Sequence, residues 1–173
     1  VAVVEGISPA GFHPDFNLDG KPEMVVSYVE LSLMQIIKVL ATKTVKFNLD
    51  VFSIDKSGLY GKTPEKQITF SMFFSLASSE GSTTGSTMLN MNADFNGDDI
   101  NDLIVMSDDD ELTIILGDEK DYFDYDHSIE FESDILKKHF RTKFEDLNSD
   151  KKTDLIMIFP EERQIMLLES DIE

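Results

Sequence analysis

Asp94, Asn96, Asp98 and Asp102 place side-chain oxygens at positions 1, 3, 5 and 9 of one stretch, Asp94-Phe95-Asn96-Gly97-Asp98-Asp99-Ile100-Asn101-Asp102-Leu103. Calcium takes six to eight oxygen ligands, and a tight loop with acids on alternate residues is a compact way to supply them. The backbone carbonyl of Ile100, at position 7, adds a further oxygen. The same spacing recurs twice. Asp15, Asn17, Asp19 and Glu23 hold positions 1, 3, 5 and 9 of a first loop, with Lys21 at position 7. Asp146, Asn148, Asp150 and Asp154 hold them in a third, with Lys152 at position 7. Turn chemistry alone also favours Asp, Asn and Gly, but three occurrences at fixed internal spacing argue for metal loops.

The elements that must hold these loops are strands. An apolar run follows each loop: Met24–Val29, Leu103–Met106 and Leu155–Phe159. Val45, Phe47, Leu49 and Val51 alternate with polar residues, as in a half-buried strand. Further strands are expected at Val1–Val4, Gln67–Leu76, Met88–Ala93, Glu111–Leu116, His127–Glu132 and Gln164–Leu168. Asp108–Asp110 and Pro160–Glu162 read as turns, and Asp118–Asp126 as a longer acidic loop. Ser78–Ser86 reads as a flexible connection, and Ser133–Lys138 as one helical turn. Between Glu30 and Thr42, Leu33, Met34, Ile36, Ile37 and Leu40 recur at spacings of 3 and 4. That spacing predicts a short helix, although so dense an apolar run also fits a buried strand.

The loops begin at residues 15, 94 and 146, so the intervals are 79 and 52 residues. A period near 50 with several strands per unit points to an array of small antiparallel sheets. The repeat units are 1–85, 86–138 and an incomplete 139–173 within one region, 1–173. The longer first interval is read as the same unit with an insertion at 30–66.

These loops resemble the FG-GAP/VCBS family of β-propeller repeats, whose signature reads Asp-Phe-Asn-Gly-Asp-Gly-Lys-x-Asp-Leu, and the calcium loops of integrin α-subunit propellers. Asp15–Met24 and Asp94–Leu103 match best. Asp146–Leu155 keeps the ligand positions and loses both glycines. The resemblance implies an all-β fold: a partial propeller of about three four-stranded antiparallel blades, with a helix/strand insertion in the first. Each loop would join the first two strands of a blade and wrap one calcium ion, up to three in all. Asp99 and Lys151 stand where the family has a position-6 glycine, which is expected to strain both turns. Glu23 is longer than the usual Asp, and Lys151 and Lys152 put positive charge beside the third loop, which is expected to be the weakest. Complete propellers have about four to eight blades, so the remaining blades are expected from the same or another chain.

Composition sets the outer bounds. The chain has 173 residues, 41% of them hydrophobic, and a net charge of −19. Nine of the 34 acids occupy the ligand positions, and three calcium ions would leave −13, so metal alone does not neutralise the chain. A surface this acidic does not attract nucleic acid or anionic membrane. No cysteine is present, which excludes disulfides, thiolate metal sites and cysteine nucleophiles. No apolar run is long enough for a spanning helix, and no Asn-x-Ser/Thr site is present. The chain begins at Val1 without an initiator Met or signal peptide, as expected of a mature product or a piece of a longer chain. Millimolar calcium occurs outside the cytosol, so an extracytoplasmic location is expected.

Other chemistry is sparse. His13, His127 and His139 are scattered, and no nucleophile, phosphate-loop or dinucleotide motif is present. Asp108–Glu111 reads as a solvated hairpin turn before it reads as a cation site. The aromatics near Asp121–Tyr125 read as packing before they read as a ligand platform. Residues 94–134 carry 16 acids and one Lys, whereas residues 30–77 carry four acids and six Lys; the acidic stretch reads as a solvated face, or as a surface for a basic partner. The expectation is therefore a non-enzymatic calcium-binding module for protein or glycan recognition or scaffolding. The competing expectation is an accessory part of a polysaccharide-active propeller enzyme whose catalytic residues lie elsewhere.

Overall fold

The computed structural model describes residues 11–30, 32–73 and 88–172. The expected strand Val1–Val4 and the connection Ser78–Ser86 lie outside these residues. The described chain is all-β apart from one helix and one 3-10 turn, and forms three antiparallel sheets. The first sheet has the order β1 (Gly11–Phe12), β2 (Met24–Tyr28), β3 (Thr44–Phe52) and β4 (Lys66–Phe73). The second runs β5 (Leu89–Ala93), β6 (Asp102–Asp108), β7 (Glu111–Asp118) and β8 (Tyr122–Glu132). The third has three strands, β9 (Arg141–Glu145), β10 (Asp154–Phe159) and β11 (Gln164–Leu168), with β10 in the centre. Strand order follows chain order in every sheet.

Residues 30–66, expected as an insertion outside the repeat, include a strand that belongs to the sheet. β3 lies between β2 and β4, with Val25 opposite Val51 and Leu49 opposite Ile68. Its alternating apolar residues need neighbours on both edges, and they find them. Only the helix α1 (Leu33–Thr42) is additional. Ser32 caps it in a reciprocal box with Gln35, and Lys43 ends it in the left-handed region with its N–H on the Val39 carbonyl. None of its residues is buried, and Leu33, Met34, Ile37 and Leu40 are exposed. A second correction concerns 118–126: β8 already starts at Tyr122, because Phe123 is a buried core residue rather than a loop aromatic.

Two apolar seams join the sheets. In the first, Val25, Leu49, Val51, Ile68 and Met72 face Met91, Leu103, Val105, Ile115 and Phe123. In the second, Ile104, Met106 and Leu112 face Leu155, Met157 and Phe159, with Leu136 of the 3-10 turn (Asp134–Lys137) closing the end. The second sheet is thus apolar on both faces, which is why β6 reads Leu-Ile-Val-Met without alternation.

Candidate metal-binding loops

Each of the three loops joins the first and second strands of its sheet: β1 to β2, β5 to β6, and β9 to β10. They share one hydrogen-bond pattern. The position-1 carboxylate accepts from the position-6 N–H: Gly20 to Asp15 at 2.9 Å, Asp99 to Asp94 at 2.9 Å, and Lys151 to Asp146 at 3.0 Å. The position-3 amide oxygen accepts from the position-5 N–H at 3.0 Å for Asn17, 3.1 Å for Asn96 and 3.0 Å for Asn148. The position-5 carboxylate accepts from the position-7 N–H at 2.8 Å in all three, onto Asp19, Asp98 and Asp150.

The backbone follows the same path in all three. Position 4 is left-handed at Leu18 (φ 54), Gly97 (φ 80) and Ser149 (φ 65), and position 6 at Gly20 (φ 79), Asp99 (φ 68) and Lys151 (φ 73). Asp99 and Lys151 therefore adopt the glycine conformation rather than abandoning the turn. That is a backbone cost.

Position 9 plays a different part from positions 1, 3 and 5. Glu23, Asp102 and Asp154 are buried, and each accepts the N–H of position 2: Phe16 at 3.0 Å, Phe95 at 2.5 Å and Leu147 at 2.9 Å. The second oxygen of Asp102 accepts from Gly117 at 2.7 Å, and that of Asp154 from Ser170 at 3.0 Å. The carboxylate thus ties the start of the loop to the end of the third strand. Burial is the main force pushing the Asp102 carboxyl up to about 7; the two N–H donors oppose it, and the charges of Asp94 and Asp98 add to it. Burial likewise raises Glu23 above the usual carboxylate range. For Asp150 the sense is opposite: the Lys152 N–H holds its carboxyl below that range.

The loop motif does not reach Gly117 and Ser170, which lie 15 and 16 residues past their acids. Gly117 has no room for a side chain. A Cβ there would stand 2.4 Å from Ile100 Cγ2 and 2.6 Å from the Asn101 carbonyl. Neighbouring loops are also joined directly. The Thr153 N–H donates to the Asp94 carbonyl at 2.6 Å, the Thr153 hydroxyl accepts from the Asp94 N–H at 3.1 Å, and Ser170 Oγ donates to the Phe95 carbonyl.

The donor set fits a hard cation. Every side chain at positions 1, 3, 5 and 9 offers oxygen; at positions 1, 3 and 5, Asp15, Asp94 and Asn96 are half-buried and the others exposed. An oxygen carries two lone pairs, and the N–H bonds occupy one on each loop oxygen they reach except Asp146 Oδ1, which accepts from both Ser149 and Asp150. Among the described residues, the three carboxylates whose oxygens gather within 4.8 Å are Asp108, Asp109 and Asp110, not a loop trio. Lys137 is already on that cluster, 2.8 Å from Asp110 and 2.8 Å from Asp134. The solvated-turn reading of Asp108–Glu111 fits this pairing.

Two other features complete the described surface. A groove of about 620 Å³ runs between β4 and β8, lined by Lys66, Thr69, Asp118, Asp121, Tyr125 and His127 among others. At its edge His127 Nδ1 meets Asp124 at 2.6 Å, which raises the imidazole and lowers the carboxyl from their ordinary values. Tyr122 and Phe123 pack inward, each meeting Phe16 edge-on with ring centroids 5.3 and 5.1 Å away, whereas Tyr125 is exposed and lines the groove. Compared with protein families, curated proteins and solved structures, the chain matches none.

Proposed function

We propose that this chain is a calcium-binding repeat module, part of a β-propeller of the FG-GAP/VCBS kind, acting in protein or glycan binding or scaffolding rather than in catalysis. The observation that supports it is the shared loop: three segments of different sequence keep one hydrogen-bond pattern and the same two left-handed positions. The residues that would hold the ions are Asp15, Asn17, Asp19 and Glu23; Asp94, Asn96, Asp98 and Asp102; Asp146, Asn148, Asp150 and Asp154. The carbonyls of Lys21, Ile100 and Lys152 join them. Calcium would supply positive charge to each hairpin, offsetting the mutual repulsion of its carboxylates and linking metal binding to folding. An extracytoplasmic setting, where calcium is plentiful, belongs to the same proposal. The partner would meet the faces and edges that the loops hold in register.

The test is thermal unfolding in calcium and in chelator, with metal content by elemental analysis. At a free calcium concentration about 100 times the dissociation constant, one site adds about 2.7 kcal/mol, or roughly 5–10 °C for a chain of this size. An unchanged melting temperature together with no bound metal removes the proposal. The accessory-enzyme reading draws on the acidic groove beside β8 and is tested by screening for glycan cleavage with and without calcium.

A further inference from the structure

The helix α1 stands at the end of the first sheet opposite its metal loop: Asp15–Glu23 leads into β2, and α1 follows the other end of that strand. Leu33, Ile36, Ile37 and Leu40 recur at spacings of three and four, so they share one side of the helix. Val39 is the helix residue packed against the first seam. At about 100° per residue the stripe lies roughly a quarter turn round the helix from Val39. It is open to solvent: Leu33 is 75% exposed, Ile37 54% and Leu40 64%, with Met34 at its edge 75% exposed. An apolar stripe turned away from its own core marks an interaction surface.

The two ends of the stripe carry opposite charges. Glu30 precedes the helix and Lys43 caps its C-terminus, and both are exposed. Among the described residues neither forms an ion pair within the chain. Their placement is symmetric. Glu30 and Lys43 are equally far in sequence from the midpoint between Ile36 and Ile37, and so are Leu33 and Leu40. A second copy of the helix laid antiparallel about that midpoint sets Leu33 beside Leu40, Ile36 beside Ile37, and each Glu30 beside a Lys43. A parallel copy would set Lys43 beside Lys43.

We infer that α1 is the contact of a homodimer, with the stripe of one copy laid antiparallel on that of a second copy. The chain carries a net charge of −19, but residues 30–77 hold four acids and six Lys, against 16 acids and one Lys in residues 94–134. Contact through α1 therefore joins two acidic chains at a locally basic stretch, and salt screens their more distant charges beyond about 8 Å. A lipid surface would cover the stripe but leave Glu30 unpaired, and anionic headgroups would be repelled by the acidic remainder of the chain. The ten-residue helix is about 15 Å long, so the contact falls short of the roughly 1,200 Å² of tight complexes. The dimer is a weak one, with a dissociation constant in the micromolar range. Neither the dimer nor its test uses a loop oxygen, so the calcium proposal can fail with this result intact.

Sedimentation of the 173-residue chain at about 0.15 M salt, over roughly 1–200 μM, is expected to show the mass rise from one chain to two. Ile37→Lys is expected to weaken the dimer at least about tenfold while leaving the melting temperature at low concentration within about 1 °C. Charge reversal tests the orientation. Glu30→Lys and Lys43→Glu should each weaken the dimer by roughly three- to tenfold, and the double variant should return it to within about twofold of the parent. The absence of cysteine makes Ile37→Cys a unique thiol, expected to join two copies on mild oxidation where Lys38→Cys, on another side of the helix, does not. A one-chain mass at every concentration overturns the inference, whether Ile37→Cys then resists labelling, which would assign the stripe to another part of the same chain, or the monomer floats with phosphatidylcholine vesicles. A dimer that Ile37→Lys leaves intact, or that the double reversal does not restore, overturns it equally.

Discussion

Position 6 of the loops offers a prediction that isolates backbone conformation from everything else. Gly20, Asp99 and Lys151 occupy it at φ values of 79°, 68° and 73°. A left-handed conformation costs a residue with a Cβ roughly 1–2 kcal/mol. Glycine avoids that cost but loses roughly 0.5–1 kcal/mol in chain entropy on folding. Lys151→Gly should therefore stabilise the chain by about 0.5–1 kcal/mol, raising the melting temperature by roughly 1–4 °C. Asp99→Gly should gain less, because Asp tolerates this region better than Lys. The reciprocal change, Gly20→Ala, should cost a similar amount, and nothing lies within 4 Å of the added Cβ to confuse the comparison. Equilibrium urea unfolding in chelator measures all three, so that charge beside a metal site does not enter. The reasoning fails if Lys151→Gly destabilises the chain while Gly20→Ala is neutral.

Further outcomes follow from other contacts. Gly117→Ala pushes a Cβ into Ile100 and the Asn101 carbonyl and should cost roughly 1–3 kcal/mol, with the Asp102 bond to residue 117 lost as well; a denaturation midpoint unchanged from the parent refutes this. Phe95→Ala empties a buried site in the second seam and should cost about 3–5 kcal/mol. Leu147→Ala, at the corresponding position of the third loop, should cost under about 1 kcal/mol in this chain because the side chain is half exposed; near-equal costs would contradict the seam assignment. The pair His127–Asp124 gives a pH signature. Its folded-state imidazole is raised, first by the Asp124 hydrogen bond, so the stabilisation is fully present below the unfolded value of about 6.5 and is lost as pH rises through the folded value. On the acid side it ends where Asp124 titrates, below the ordinary carboxylate range. The difference between parent and His127→Gln should therefore be largest in mildly acidic solution and close on the alkaline side. A pH-independent difference is the contrary result.

The loops were legible because their chemistry is local. Asp15, Asn17 and Asp19, like their counterparts, make most of their bonds within six residues, so spacing alone identifies them. From spacing, position 9 is only a ligand. Its hold on Phe95 N–H lies within the loop, but its hold on Gly117 and Ser170 depends on where the third strand ends. The sequence points to an insertion at β3 because α1 lengthens the β2–β3 connection, which hides a meander behind an irregular repeat interval. The acidic residues of Tyr122–Asp126 mask the start of β8, and only the packing of Phe123 under Phe16 shows that the strand has begun. The outward face of the third sheet carried no signal in the sequence. Ile156 and Ile158 read as ordinary core until the second seam shows which positions are covered.

Within each sheet, every strand after the first pairs with the one made just before it, and no sheet waits for a strand from further along the chain. On a ribosome adding about 5–20 residues per second, a sheet the length of the second takes seconds to emerge, while a hairpin closes in about 1–10 μs. Each sheet can be complete before the next leaves the exit tunnel, and the apolar side it turns forward is then the template on which the newcomer condenses. Synthesis order and stacking order coincide, so the chain can be assembled in the direction in which it is read.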